Sequence, residues 1–322
     1  MNALSKFAVV GAIAFLSFGA GAESWPSKPV RLFLPTAAGS APDVIARLLG
    51  ERLSQAWKQP VIVDNKPGAS GVIGMSAFKQ AAPEGHALVM AQAAVIAVTP
   101  HVLANPRFDV DVDMTPIALI ALSPMMILAR KDLPADTLTQ ALDLSRIKGQ
   151  QLTIGATGQY SIPHLSAEYL KKATNLDANI VSFSSTGGGV NSLINGDIQL
   201  LIDGIPGVGA MLQSGRVKAI AVTSAMRIST YPKVPTVRES VSASPELSGW
   251  FVLFGRKNMA PDVIEQVNRD VNAILSDPKL AVRFSELGVF PRILSQADTV
   301  KFVSIEREHW RSVLSALNIK PQ

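Results

Sequence analysis

Short apolar runs and amphipathic stretches alternate along almost the whole chain. Val30–Leu34, Val61–Val63, Ala87–Ala91, Ile117–Leu122, Met126–Ala129, Leu152–Ile154, Asn179–Phe183, Leu200–Ile202, Ala219–Val222 and Phe251–Phe254 are largely apolar at successive positions. That is the pattern of strands covered on both faces of a sheet. The segments between them follow the helical period. Ile45, Leu48, Leu49, Leu53 and Ala56 share one helical face that Pro60 terminates, and Pro261 opens a helix carrying Ile264, Val267, Val271, Ile274 and Leu275 at helical spacing. Strand and helix in alternation predict α/β lobes with mostly parallel sheets.

The order of elements repeats weakly. Strand, turn and helix at Val30–Trp57 are echoed by Leu152–Lys172, and Val61–Met90 by Ile180–Ile202. Ligands of open α/β sheets sit beyond the carboxyl ends of the strands. Two lobes built this way and facing each other place their strand-to-helix turns around one cleft.

Two of those turns are rich in small residues: Pro35-Thr-Ala-Ala-Gly-Ser-Ala-Pro-Asp43 and Asn65-Lys-Pro-Gly-Ala-Ser-Gly-Val-Ile-Gly74. Such turns let backbone N–H groups converge at a helix N-terminus, where a carboxylate or other anion is stabilised. Thr186-Gly-Gly-Gly189 in the second half is similar. Plainer roles exist for several of these residues. Ser40 and Asp43 read first as a capping box, and Gly68 and Gly71 as positions fixed by backbone geometry. Asp203, just past Leu200–Ile202, fits equally a helix cap ahead of Pro206 and an acceptor facing the cleft.

Composition adds limits. Of 322 residues, 48% are hydrophobic and 17% charged, the balance of a globular protein long enough to split into two lobes. A net charge of +5 without a run of Lys or Arg gives no nucleic-acid or lipid patch. With no cysteine, disulfides, thiolate metal sites and Cys nucleophiles are excluded. At the N-terminus, Lys6 precedes an apolar run from Phe7 to Phe18, and Ala20 and Ala22 satisfy a small-x-small cleavage rule. Residues 1–22 therefore read as a signal peptide cut after Ala22. The run falls short of the roughly 20 residues that span a bilayer.

No catalytic arrangement emerges. G-x-S-x-G, G-x-x-x-x-G-K-[ST] and H-E-x-x-H are all missing, and His86, His101, His164 and His309 share no ligand spacing. Asp109, Asp111 and Asp113 read as a solvated turn and not as a metal site. Glu306, Glu308 and His309 sit on a final helix whose apolar face is Phe302, Val303, Trp310, Val313 and Leu314, and the acids are expected to face water.

Trp25-Pro-x-Lys-Pro29, Pro35-x-x-Ala-Gly39 with Asp43, Asn65-x-Pro-Gly-Ala-x-Gly71, Ala82-Pro-x-Gly85, Gly158 with His164-Leu165, Asp203-x-x-Pro206, Ala221-Val-Thr-Ser224 and Pro232-x-Val-Pro-Thr236 follow one another in order. Together they closely resemble the Bug-type substrate-binding proteins of tripartite tricarboxylate transporters. The resemblance implies a two-lobed Venus flytrap of the periplasmic-binding-protein type II architecture, which closes on a small carboxylate and hands it to a membrane permease. It implies a periplasmic, non-enzymatic, monomeric receptor without cofactor, metal or nucleic-acid partner.

Carried over by position, the ligand-binding candidates are Thr36, Ala38, Gly39 and Ser40 in the first turn and Ala69 and Ser70 in the second. Gln92 stands where relatives usually hold a small hydroxyl. The other lobe contributes Thr157, Gly158, Gln159, Ser161, Thr186, Gly187 and Asp203. These are neutral donors for an anion, with no arginine clamp. Ser182-Phe-Ser-Ser185 and Gly158-Gln-Tyr-Ser161 depart from the family's usual Pro-Tyr-Lys-Gly and Gly-Asn-Gly-Thr, and Tyr160 is a candidate to narrow the pocket or stack on a flat ligand. Expected lobe limits are 23–122 plus 247–322 for the first and 123–246 for the second. A sensor feeding a membrane signalling protein would use the same fold, and an exported hydrolase is the rival from another class.

Overall fold

Among the described residues, ten strands lie where the sequence has its apolar runs, and an eleventh is too short to leave a pattern. The computed structural model describes residues 25–81, 85–147, 151–241 and 246–321. The signal-peptide segment, its cleavage site and most of the Ala82-Pro-x-Gly85 motif lie outside the described residues.

The first half begins with β1 (Val30–Leu34), α1 (Ala41–Trp57), β2 (Val61–Asn65) and a 3-10 turn, Ala69–Gly71, that leads into α2 (Val72–Gln80). β3 (Ala87–Gln92) passes through a π-helical turn, Ala94–Val98, to the short α3 (Thr99–Val102) and α4 (Val110–Asp113). β4 (Met114–Ser123) then leads into β5 (Met125–Arg130) with only Pro124 between them. α5 (Leu138–Ser145), β6 (Leu152–Thr157), α6 (Ile162–Thr174), β7 (Ala178–Phe183), α7 (Thr186–Asn195), β8 (Leu200–Gly204), α8 (Ile205–Gln213), β9 (Val217–Val222) and α9 (Val237–Ser240) follow. β10 (Gly249–Arg256), α10 (Pro261–Leu275), α11 (Pro278–Glu286), β11 (Phe290–Pro291) and α12 (Gln296–Ala316) complete the chain.

Two sheets result, ordered β11-β4-β10-β3-β1-β2 and β7-β6-β8-β5-β9. β2-β1-β3 and β7-β6-β8 are matching parallel triplets, so the repeated order of elements in the sequence corresponds to repeated topology. The sheets are mixed, however, and not mostly parallel: β10 runs antiparallel to β3 and β4, and β5 antiparallel to β8 and β9. The connections explain this. β4 ends beside β5, so the chain enters the second sheet at the end where β6 and β8 finish and must run away from it. β10 returns to the first sheet in the same way.

Packing follows the periodicity, with one exchange. Ile45, Leu49 and Leu53 of α1 are buried against Val267, Val271 and Phe284 in one core cluster. Trp57 takes the place expected for Ala56: it is buried, Ala56 is exposed, and its indole donates to Asp270 at 2.8 Å. Trp250, Trp310, Phe33 and Phe78 are among the largest fully buried side chains.

Candidate functional site

A cavity of about 530 Å³ lies between the two sheets. Four helices begin at its wall. Gly39, Ser40, Ala41 and Pro42 belong to the start of α1, Ser161, Ile162 and Pro163 to that of α6, Thr186 opens α7, and Gly204, Pro206 and Gly207 belong to the start of α8. Strand-to-helix turns put them there because the parallel strands of both triplets end at the same gap.

The helix starts differ in what satisfies them. Ser161 caps α6, its Oγ accepting from His164 N at 3.3 Å, and Ser185 caps α7 by accepting from Gly188 N at 3.2 Å. α1 and α8 have no side-chain cap. Ser40 stands at the N-cap of α1, but its hydroxyl donates backwards to the Ala37 carbonyl at 2.7 Å. Nor does Asp43 close the expected capping box. Its carboxylate accepts from Gly39 N at 2.8 Å, Arg47 Nε at 3.0 Å and Asn65 Nδ2 at 3.0 Å. It thereby ties the first glycine-rich turn to the end of β2, where the second begins. Burial of Asp43 opposes ionisation, but the bonds from Arg47, Gly39 and Asn65 outweigh it and hold its carboxyl below the usual range.

Asp203 is the one ionisable side chain among the described lining residues. It is the penultimate residue of β8 and is only 7% exposed. Thr157 and Thr186 donate their hydroxyls to its carboxylate, and Gly204 N donates to Oδ1 at 2.7 Å. Burial nevertheless pushes its carboxyl above the usual range, because these donors only partly offset the loss of water. Of the two roles open to Asp203, the cap of α8 is not the one it takes: the N-cap residue is Gly204, without a side-chain cap.

Of the sequence candidates, Gly39, Ser40, Gln92, Ser161, Thr186 and Asp203 line the cavity. Thr157 stands behind Asp203, and Thr36 accepts from Ser40 Oγ at 3.4 Å while its carbonyl accepts from Asn65. Gly158 N donates to the Phe183 carbonyl at 2.8 Å. Ala38, Gln159 and Gly187 are exposed and outside the lining, as are Ala69 and Ser70, whose φ of 47° and 51° form the kink before α2. Tyr160 is also outside it, edge-on to His164 with ring centroids 6.2 Å apart.

Sequence reasoning missed the apolar wall, made by Val44, Met125, Ile162, Trp250, Phe251 and Leu287, together with the buried Ser123. A signal was available: Ser123–Met125 and Gly249–Phe251 are where the chain crosses between sheets, and a crossing must border the gap. None of the four histidines lines the cavity, and among the described residues no cluster of His, Asp and Glu suits a metal ion. Asp109 instead caps α4, accepting from Asp111 N at 2.8 Å and Val112 N at 3.1 Å.

Residues 45–319 match the family model described as the tripartite tricarboxylate transporter family receptor. A UPF0065 protein of Bordetella bronchiseptica is 30% identical over 304 residues, covering 94% of this chain and 89% of that one. Among solved structures, the R. palustris protein Rpa4515 with adipate is 27% identical at a TM-score of 0.84, covering 92% of this chain and 100% of that one. The periplasmic binding protein BugD is 26% identical at a TM-score of 0.79, again covering 92% of this chain and 100% of that one. No helix of the described residues is long and apolar enough to cross a membrane. With two facing α/β sheets, helix starts gathered on the cavity between them and a family match over most of its length, this chain belongs to the receptors of the tripartite tricarboxylate transporter family.

Proposed function

We propose that this protein is an exported receptor, cleaved after Ala22, that captures a small carboxylate in the cavity between its sheets and delivers it to a membrane permease. One observation carries the reading: four helix N-termini border a cavity with no basic side chain among its described lining residues. Backbone dipoles and hydroxyls replace a charged clamp there, an arrangement that suits reversible capture of an anion. Gly39, Ser40, Gln92, Ser161 and Thr186 are the proposed contacts, with Asp203 as the acid they must accommodate. Thr36, Ala38, Ala69, Ser70, Thr157, Gly158, Gln159 and Gly187 are proposed to shape the turns.

We divide the chain into a first lobe, 23–122 plus 247–322, and a second, 123–246, with the strand crossings as hinges. Closure needs only a free-energy difference between open and closed states that the ligand reverses, and no bond is broken. The monomer suffices. Thermal unfolding against small carboxylates and their amides tests the reading. An acid at a hundred times its dissociation constant stabilises by about 2.7 kcal/mol, a rise of several degrees. An acid that shifts the melt while its amide does not is expected; the absence of any such acid would refute it.

A further inference from the structure

Resting on that receptor reading, we infer that the cavity selects a monocarboxylate with an apolar body over a dicarboxylate. The second sheet already holds an anion of its own. Thr157 closes β6 just ahead of α6, Thr186 opens α7 and Gly204 stands at the N-cap of α8, and all three donate to the buried carboxylate of Asp203. The α1 start on the first sheet differs: Asp43 takes the Gly39 N–H at 2.8 Å, but it lies beneath the turn and outside the lining, with its charge paired to Arg47 at 3.0 Å. One external carboxylate therefore has a seat where that turn opens α1, at Ser40 and Ala41.

A second carboxylate would share the cavity with Asp203, of like charge, and with the wall of Val44, Met125, Ile162, Trp250, Phe251 and Leu287, where Gln92, Ser123 and Ser161 offer neutral groups and no described lining residue offers a cation. Burying a second charge beside that of Asp203 without a cation in return is costly. The same wall rewards methylene or aromatic surface.

Adipate, present in the R. palustris relative, and hexanoate are a matched six-carbon pair that differ by one carboxylate. Calorimetric titration of the purified protein with butanoate, hexanoate, octanoate, adipate and hexanamide tests the inference. Hexanoate is expected to bind about tenfold or more tighter than adipate, and affinity to rise about fourfold per methylene along the monocarboxylates. Adipate binding as tightly as hexanoate, or a flat monocarboxylate series, would overturn the inference and leave the receptor reading standing. If no acid binds, or hexanamide matches hexanoate, both fall.

Discussion

The indole of Trp250 donates from Nε1 to Glu306 Oε2 at 2.8 Å, so a residue that lines the cavity is held from behind by an acid on α12. That acid was expected to face water. Instead burial, reinforced by the nearby Glu246 and only partly opposed by the Trp250 bond, pushes its carboxyl from 4.5 up to about 7. Arg292 and Glu246 border the same small hollow of about 50 Å³ beside it.

The raised value sets the direction of a pH effect. Between about 4.5 and 7 the folded chain keeps a proton on Glu306 that the unfolded chain has released. Its contribution to stability is therefore complete below about 4.5 and is lost as the pH rises through 7. Glu306→Gln preserves an acceptor for the indole and removes the titration. Melting curves should show the variant more stable than the parent at about pH 8 by about 1–3 kcal/mol, with a flatter profile from about pH 5 upward. An unchanged profile would mean that Glu306 titrates as if in water.

Ser40→Asp separates folding from binding at the α1 start. The existing hydroxyl points back to Ala37 and caps nothing. An aspartate there would cap the helix and complement its dipole, raising stability by about 0.5–1 kcal/mol. It would also put a negative charge on the proposed seat of the ligand carboxylate, so binding should drop about a hundredfold, roughly 2.7 kcal/mol. Titration and denaturant unfolding should thus move in opposite directions. Loss of both would mark Ser40 as structural.

The first sheet and much of the second were legible because most strands are covered on both faces and leave an apolar run, and the half-exposed edge strands β2 and β7 are still largely apolar. Strand direction was not. Parallel and antiparallel strands have the same side-chain period, and the antiparallel course of β5 and β10 follows from where the chain crosses, at Pro124 and before Gly249. The turns announced themselves through small residues, whereas Phe251 looked like any other part of a buried strand and Trp250 fell just outside the run that marked it. Glu306 was misread for a related reason: helical spacing puts it beside the apolar face of α12, and only the arrival of Trp250 from another element decides that it is covered. β11 spans two residues and has no periodicity to read.

Asp203→Asn tests the claim that the protein's own charge excludes a second one. The amide retains an acceptor for Gly204 N and offers a donor that either threonine hydroxyl can accept. Because burial raises the Asp203 carboxyl, its contribution to stability is lost as pH rises through the folded value, and the neutral amide should unfold at a higher temperature than the parent near neutral pH. Adipate affinity should rise relative to hexanoate. A gap between those two acids that the amide leaves unchanged would show that Asp203 does not face the far end of the ligand.

Closure itself has a steric test at Gly288. A Cβ on this residue would lie 2.3 Å from Cβ of Ile205, the first residue of α8, beside the lining residues Leu287 and Gly204. Gly288 joins α11 to β11 in the first sheet, so this contact bridges the two sheets without belonging to the proposed ligand contacts. Gly288→Ala suffers twice, from a φ of +68° and from the collision. Only the collision is relieved when the lobes part. Gly215→Ala isolates the backbone effect, since its φ is +66° and nothing lies within 4 Å of the added atom. Both variants should lose about 1 kcal/mol of stability from the backbone. Gly288→Ala alone should weaken ligand binding, by about tenfold or more, because the ligand must then also drive a strained closure. Equal affinity in the two variants would mean that Gly288 and Ile205 touch without governing how far the lobes close, and the hinge would have to be sought at the strand crossings instead.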